Sequence, residues 1–203
     1  KGAYFYLIAL QVTFIKFFKK IYFSSSRYNN SLKSKVPTQV YFSPNPFLLS
    51  LISPYKKSSF KINDINPNDF WLENKKSKIK KHHNFLWLNL LDRKIDGKNI
   101  QRIIYLWTLK YSNFKNKIWE NAILSSRVIS WMLNIDIIIN NGTFDFKKKV
   151  FQNIIYQCNH LRKNIKYEKN PAKRVQVLSA LILSGIVFKE YRSNYEVGIK
   201  ELE

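Results

Sequence analysis

The sequence predicts an all-α protein: short-looped, antiparallel helices, preceded by an irregular arm. Three observations carry this. Apolar residues recur at three- and four-residue steps from residue 82 onward. Glycine and proline are scarce, 5 and 6 in 203 residues, which suits long helices better than a turn-rich β fold. Helix-boundary signals fall between the periodic stretches.

Ala3 to Phe23 is strongly apolar and aromatic, interrupted by Gln11, Thr13, Lys16, Lys19 and Lys20. It reads as a packed amphipathic helix, with a truncated anchor or interfacial helix as the other reading. Its unbroken apolar part, Ala3 to Leu10, falls short of the about 20 residues a bilayer span needs. Ser24 to Lys81 loses periodicity. Ser24 to Ser26 and Tyr28 to Ser31 read as loop, prolines interrupt the apolar clusters, and Gln39 to Phe42 and Ser59 to Ile62 suit short extended pieces. The run Lys75 to Lys81 closes this arm. Residues 1–81 therefore form one unit and 82–203 a helical domain.

Within that domain, Phe85 to Leu91 is short and apolar. Ile100, Ile103, Ile104, Trp107 and Tyr111 define one inward stripe. Trp119, Ile123, Arg127 and Trp131 stand at strict four-residue steps, predicting a helix from about Asn116 to Ile139 that ends at Asn140-Asn141-Gly142. A long helix from Phe144 to Ile165 buries Val150, Phe151, Ile154, Ile155, Cys158 and Leu161. Asn170-Pro171 supplies a cap and a first-turn proline to a helix holding Val175, Leu178, Leu181, Ile182 and Ile186. Ser193 and Glu196 have capping-box spacing. On pattern alone the helices make a bundle, a solenoid or a toroid.

Charge narrows function less sharply. Lys and Arg number 35 against 13 Asp and Glu, a net charge of +22, which attracts any polyanion. The basic residues are scattered through every segment, as codon bias alone would place them. A basic helical module for nucleic acid or an anionic membrane is therefore the alternative to a specific polyanion site. No glycine-rich phosphate loop and no HExxH motif occur. Adjacent His82 and His83 make a poor metal pair, so no metal and no cofactor are expected. The single Cys158 reads as a buried hydrophobe.

Arg127 is the most informative residue. A guanidinium between Trp119 and Trp131 on a helical face needs partners, because an unpaired buried charge is costly. Either an acid from another helix pairs with it, or it opens into a cleft where it holds a carboxylate or sulfate. Beside it the indoles serve as core or as stacking platforms for sugars. His160 is a polar core residue or a carbohydrate contact.

The stretch Phe85 to Asp92 (FLWLNLLD), Trp107, the W-x7-R-x-x-S-W pattern of Trp119, Arg127, Ser130 and Trp131, the Q-x-x-H-L-R of Gln157 to Arg162, and the helix KNPAKRVQVLSALILSGIVF follow one another in order. Together they resemble the amino-terminal helical region of heparinase II/III-like polysaccharide lyases of alphaproteobacteria, over about Phe85 to Glu203. The resemblance implies part of an incomplete α/α toroid made of helical hairpins, completed in whole members by a carboxy-terminal β-sandwich domain. It implies β-elimination on a uronic-acid polysaccharide, so the expected partner is an acidic polysaccharide and not nucleic acid. Cleft contacts would come from Trp87, Arg127, Trp131 and His160.

In such lyases an Asn neutralises the substrate carboxylate while Tyr and His move protons. Asn170 stands where that Asn would be, but lacks the following His and reads first as a helix cap. The catalytic tyrosine segment would follow Glu203, so this chain is expected to be an amino-terminal fragment, inactive alone. A periplasmic or membrane-associated location suits the resemblance.

Overall fold

Helices form where apolar spacing and capping agree. The computed structural model describes residues 2–44, 66–71, 81–91, 97–114 and 116–203. Among these the regular elements are helical: α1 (Gly2–Ser24), α2 (Ser26–Ser31), α3 (Lys98–Tyr111), α4 (Asn121–Leu133), α5 (Ile135–Ile139), α6 (Phe144–Asn164), α7 (Pro171–Val187) and α8 (Arg192–Lys200). Single 3-10 turns cover Asp69–Trp71, Leu86–Leu90, Asn116–Trp119, Ile165–Tyr167 and Lys189–Tyr191. The protein is all-α, as the periodicity predicts.

Helix α4 is the centre. It packs on α6, on α7 and on the Leu86–Leu90 turn, while α7 also pairs with α8, and α3 with α6. The α7–α8 approach is close because of glycine. A β-carbon on Gly185 would lie 2.6 Å from the Tyr195 backbone nitrogen, far inside contact distance. Caps follow sequence. The Asn170 side chain accepts from Lys173 N at 3.1 Å, with Pro171 in the first turn. The Thr143 hydroxyl starts α6 by accepting from Phe146 N. Asn141, with φ 55°, turns the chain out after α5.

Several expectations change. The continuous helix from Asn116 to Ile139 is three pieces, because Glu120 is extended (ψ 138°) and Asn134 leaves the helical region. Trp119 thus belongs to a preceding turn and not to the face carrying Arg127. The loop expected at Tyr28 to Ser31 is helical, since Ser25 caps α2 by accepting from Tyr28 N at 3.1 Å. Gln39 to Phe42 runs through bends, not strand. Ser193 lies inside α8, where its hydroxyl accepts from Arg162, so no capping box forms. Val175 points outward; Val177, Leu178 and Leu181 hold the buried face of α7. The segment Ser59 to Ile62 and the run before Lys81 lie outside the described residues.

The arm does not stand apart. Tyr28, Leu32, Phe70 and Trp71 share one apolar core with the helices after residue 82. Residues 28–41 lie along α6 and the end of α7. Asn159 donates to the Leu32 carbonyl, Lys163 to the Ser31 carbonyl, and Tyr41 N to the Val187 carbonyl. Helix α1 differs: it is exposed along nearly its whole length, contrary to the packed helix expected.

Candidate functional site

Two polar centres are built around α4 and α6. The first surrounds Arg127, which is 0% exposed. Its Nε donates to Gln157 Oε1 at 2.6 Å, and Nη1 to the carbonyls of His83 at 2.8 Å and Ile118 at 3.3 Å. The guanidinium carbon lies 4.5 Å from the Trp107 ring centroid, within cation–π range. Burial pulls its pKa down to about 9, which leaves it charged at neutral pH. Its Nη2 has no partner among the described residues, nor do Trp131 Nε1 and Gln157 Nε2.

Neither alternative expected for Arg127 is realised. Among the described residues, main-chain oxygens and an amide stand in place of the acidic partner, and the guanidinium is sealed from solvent. Trp131 is likewise sealed, packed edge-on against Phe85 and Trp107 at ring distances of 5.2 and 5.4 Å. Trp87 is buried with its Nε1 donating to the His82 carbonyl. These three residues, proposed from sequence as sugar contacts, are core in this structure.

Phe85 is the knot of this core. It holds φ 58° and is fully buried, a conformation strained for a bulky side chain. Its carbonyl accepts from Ser130 Oγ at 2.6 Å, which fixes the turn against α4. Nearby, Trp107 Nε1 donates to His83 Nδ1 at 3.0 Å. Indole is only a donor, so His83 must be neutral with its proton on Nε2. Burial, then the Arg127 charge, push its pKa down to about 3.

The second centre is open. A pocket of about 670 Å³ lies between the last turn of α1, the Asn116–Trp119 turn and the α6–α7 connection. Phe23, Phe114, Trp119 and Tyr167 give it aromatic walls, and Lys19, Lys20, Lys117 and Lys173 surround it with positive charge against Glu120 and Glu168. Glu168 is already engaged: it accepts from Asn121 Nδ2 at 3.0 Å and from Asn170 N at 3.2 Å. Both donors are neutral, so Glu168 keeps its charge, and four lysines against two carboxylates leave the pocket net positive.

His160 lines this pocket while remaining 2% exposed. Its Nδ1 lies 2.8 Å from the Tyr28 hydroxyl, which accepts from Asn164 Nδ2 at 2.9 Å. With one lone pair taken by Asn164, Tyr28 is placed to donate its proton to His160, which is then neutral. Burial first, then Arg127, hold the His160 pKa at about 3, while burial pushes Tyr28 up to about 12. Neither group is a base poised for neutral pH. The pair positions a wall of the pocket. Asn170 is exposed, its side-chain oxygen committed to capping α7, and stands in the chain between the lining residues Glu168 and Lys173.

Of the sequence candidates, then, His160 reaches the pocket, Asn170 stands at its margin by chain position, and Trp87, Arg127 and Trp131 form the core beside it. Lys19, Lys20, Lys117 and Lys173 were not singled out as a site, because they sit on three separate segments and share no motif. No cluster of three metal-ligating side chains occurs among the described residues. No family model, curated protein or solved structure matches the chain.

Proposed function

We propose that this chain is the sugar-binding helical part of a heparinase II/III-like polysaccharide lyase, acting on uronic-acid polysaccharide by β-elimination. One observation supports the reading most: a groove with aromatic walls and four lysines, of a size suited to one or two anionic sugar rings. Lysines neutralise carboxylate or sulfate, and the half-buried Phe114 and exposed Tyr167 offer ring faces to a pyranose. In this reading the helices form part of an α/α toroid with a β-sandwich domain as their neighbour. The proton-transferring groups then lie outside the pocket, since Tyr28 and His160 are held away from neutral titration. The chain alone binds and does not cleave.

Titration with alginate and heparin oligosaccharides, followed by tryptophan fluorescence, tests this. Acidic oligosaccharides should shift tryptophan emission, and Lys117→Ala and Lys173→Ala should each weaken binding about tenfold. Equal binding of a neutral cello-oligosaccharide, or indifference to both substitutions, sinks the sugar site. Expression of the gene together with its downstream sequence, assayed for unsaturated uronate, tests the lyase chemistry itself. Absence of that product from every uronate polymer would overturn it.

A further inference from the structure

Helix α1 presents an unusual surface. Phe5, Tyr6, Leu7 and Phe18 are each 60% or more exposed, and Leu10, Phe14, Phe17 and Ile21 are more than half exposed. Residues 5 to 8 alone, stepping 100° apiece, point to most sides of the helix. The apolar surface is therefore a sleeve, not a stripe. A protein groove covers one face of a helix; a sleeve calls for a medium that surrounds it.

Polarity is graded along the axis. Apart from the hydroxyls of Tyr4 and Tyr6, Gln11 and Thr13 are the polar side chains from residue 2 to residue 15, and Lys16, Lys19 and Lys20 follow. Thr13 satisfies its own hydroxyl by donating to the Ala9 carbonyl at 2.7 Å, as a polar group in lipid must. No helix among the described residues is long and apolar enough to cross a membrane.

Charge decides the occupant. The chain from residue 1 to residue 63 contains no Asp or Glu, and Arg27, Lys33 and Lys35 follow the three lysines of α1. Beyond the foot of α1, Lys117 and Lys173 extend the same positive field. A second copy would bring an equally basic helix and be repelled. An anionic lipid leaflet complements both the sleeve and its collar of lysines.

We propose that α1 buries its apolar sleeve in the acyl region of an anionic bilayer, with Lys19 and Lys20 at the headgroups. The helical body then lies against the membrane with the pocket opening near the lipid surface. This inference does not depend on the sugar site.

Flotation of the whole chain with vesicles of equal parts phosphatidylcholine and phosphatidylglycerol tests it. Most of the protein should float with these, and much less with phosphatidylcholine alone. The triple variant L7Q/L10Q/F14Q changes only exposed positions outside the pocket, so its thermal unfolding should match the parent. Its partitioning should fall at least about 100-fold. Equal flotation of parent and variant would show surface charge acting alone and overturn insertion. So would failure of the parent to float, or hydrogen exchange protection of α1 in a lipid-free dimer.

Discussion

The Tyr28 hydroxyl lies 2.8 Å from His160 Nδ1, joining residues 132 positions apart. Through this bond and the 2.9 Å bond from Asn164, the amino-terminal segment is fastened to the end of α6 beside the open pocket. Tyr28→Phe removes the hydroxyl and leaves Asn164 Nδ2 with only the His160 carbonyl. Stability should fall by about 1–2 kcal/mol, read as a lower urea midpoint with an unchanged slope.

The two buried histidines predict a pH dependence. Both are held at about 3, against an ordinary value of 6.5. Between these values the unfolded chain binds more protons than the folded one, so their contribution is complete above about 6.5 and drains away as pH falls toward 3. Each would add a slope of about 1.4 kcal/mol per pH unit inside that window. Urea midpoints at pH 7 and pH 5 measure it, and His160→Gln should flatten the difference.

Arg127→Lys keeps the charge and loses the fork. An ammonium cannot serve Gln157 and the carbonyls of residues 83 and 118 in the same plane while stacking on Trp107. A loss of about 2 kcal/mol or more is expected, from calorimetry or denaturant titration. An unchanged melting temperature would show that this centre contributes nothing to stability.

Cys158 is buried, and burial pushes its thiol up to about 12. It should resist iodoacetamide at pH 8 in the native protein and react once urea unfolds the chain. Rapid native alkylation would contradict its placement in the α6 core.

Gly185 sets the spacing of α7 and α8. Gly185→Ala forces a β-carbon against Tyr195 and should cost about 1–3 kcal/mol. The effect should be seen in the same denaturation assay.

Much of the helical layout was legible because local signals sufficed. The Ile100 to Trp107 spacing, the Asn170-Pro171 start and the Asn141 exit each act within one turn of chain. The failures are instructive in the same terms. Trp119 fits the Arg127 register numerically, yet one extended residue, Glu120, resets the helix, and periodicity is blind to a single backbone angle. Arg127 was rightly marked as needing partners, but they are one amide oxygen, of Gln157, and two main-chain carbonyls in place of an acid, and no side-chain pattern reveals the carbonyls. The pocket escaped because Lys19, Lys117 and Lys173 converge only after α1, the Asn116–Trp119 turn and α7 have met.

Several polar side chains of the core donate to the main chain. Arg127 donates to the carbonyls of residues 83 and 118, Ser130 to that of residue 85, Trp71 to that of residue 103 and Trp119 to that of residue 111. Every acceptor is a group that any amino acid brings. Substitution at the accepting positions is thus freer than at the donating ones, provided the chain keeps its path. Descendants of this sequence could rewrite Ile118 with other aliphatic residues long before they could replace Arg127, and a saturation library scored for folding would reveal that asymmetry.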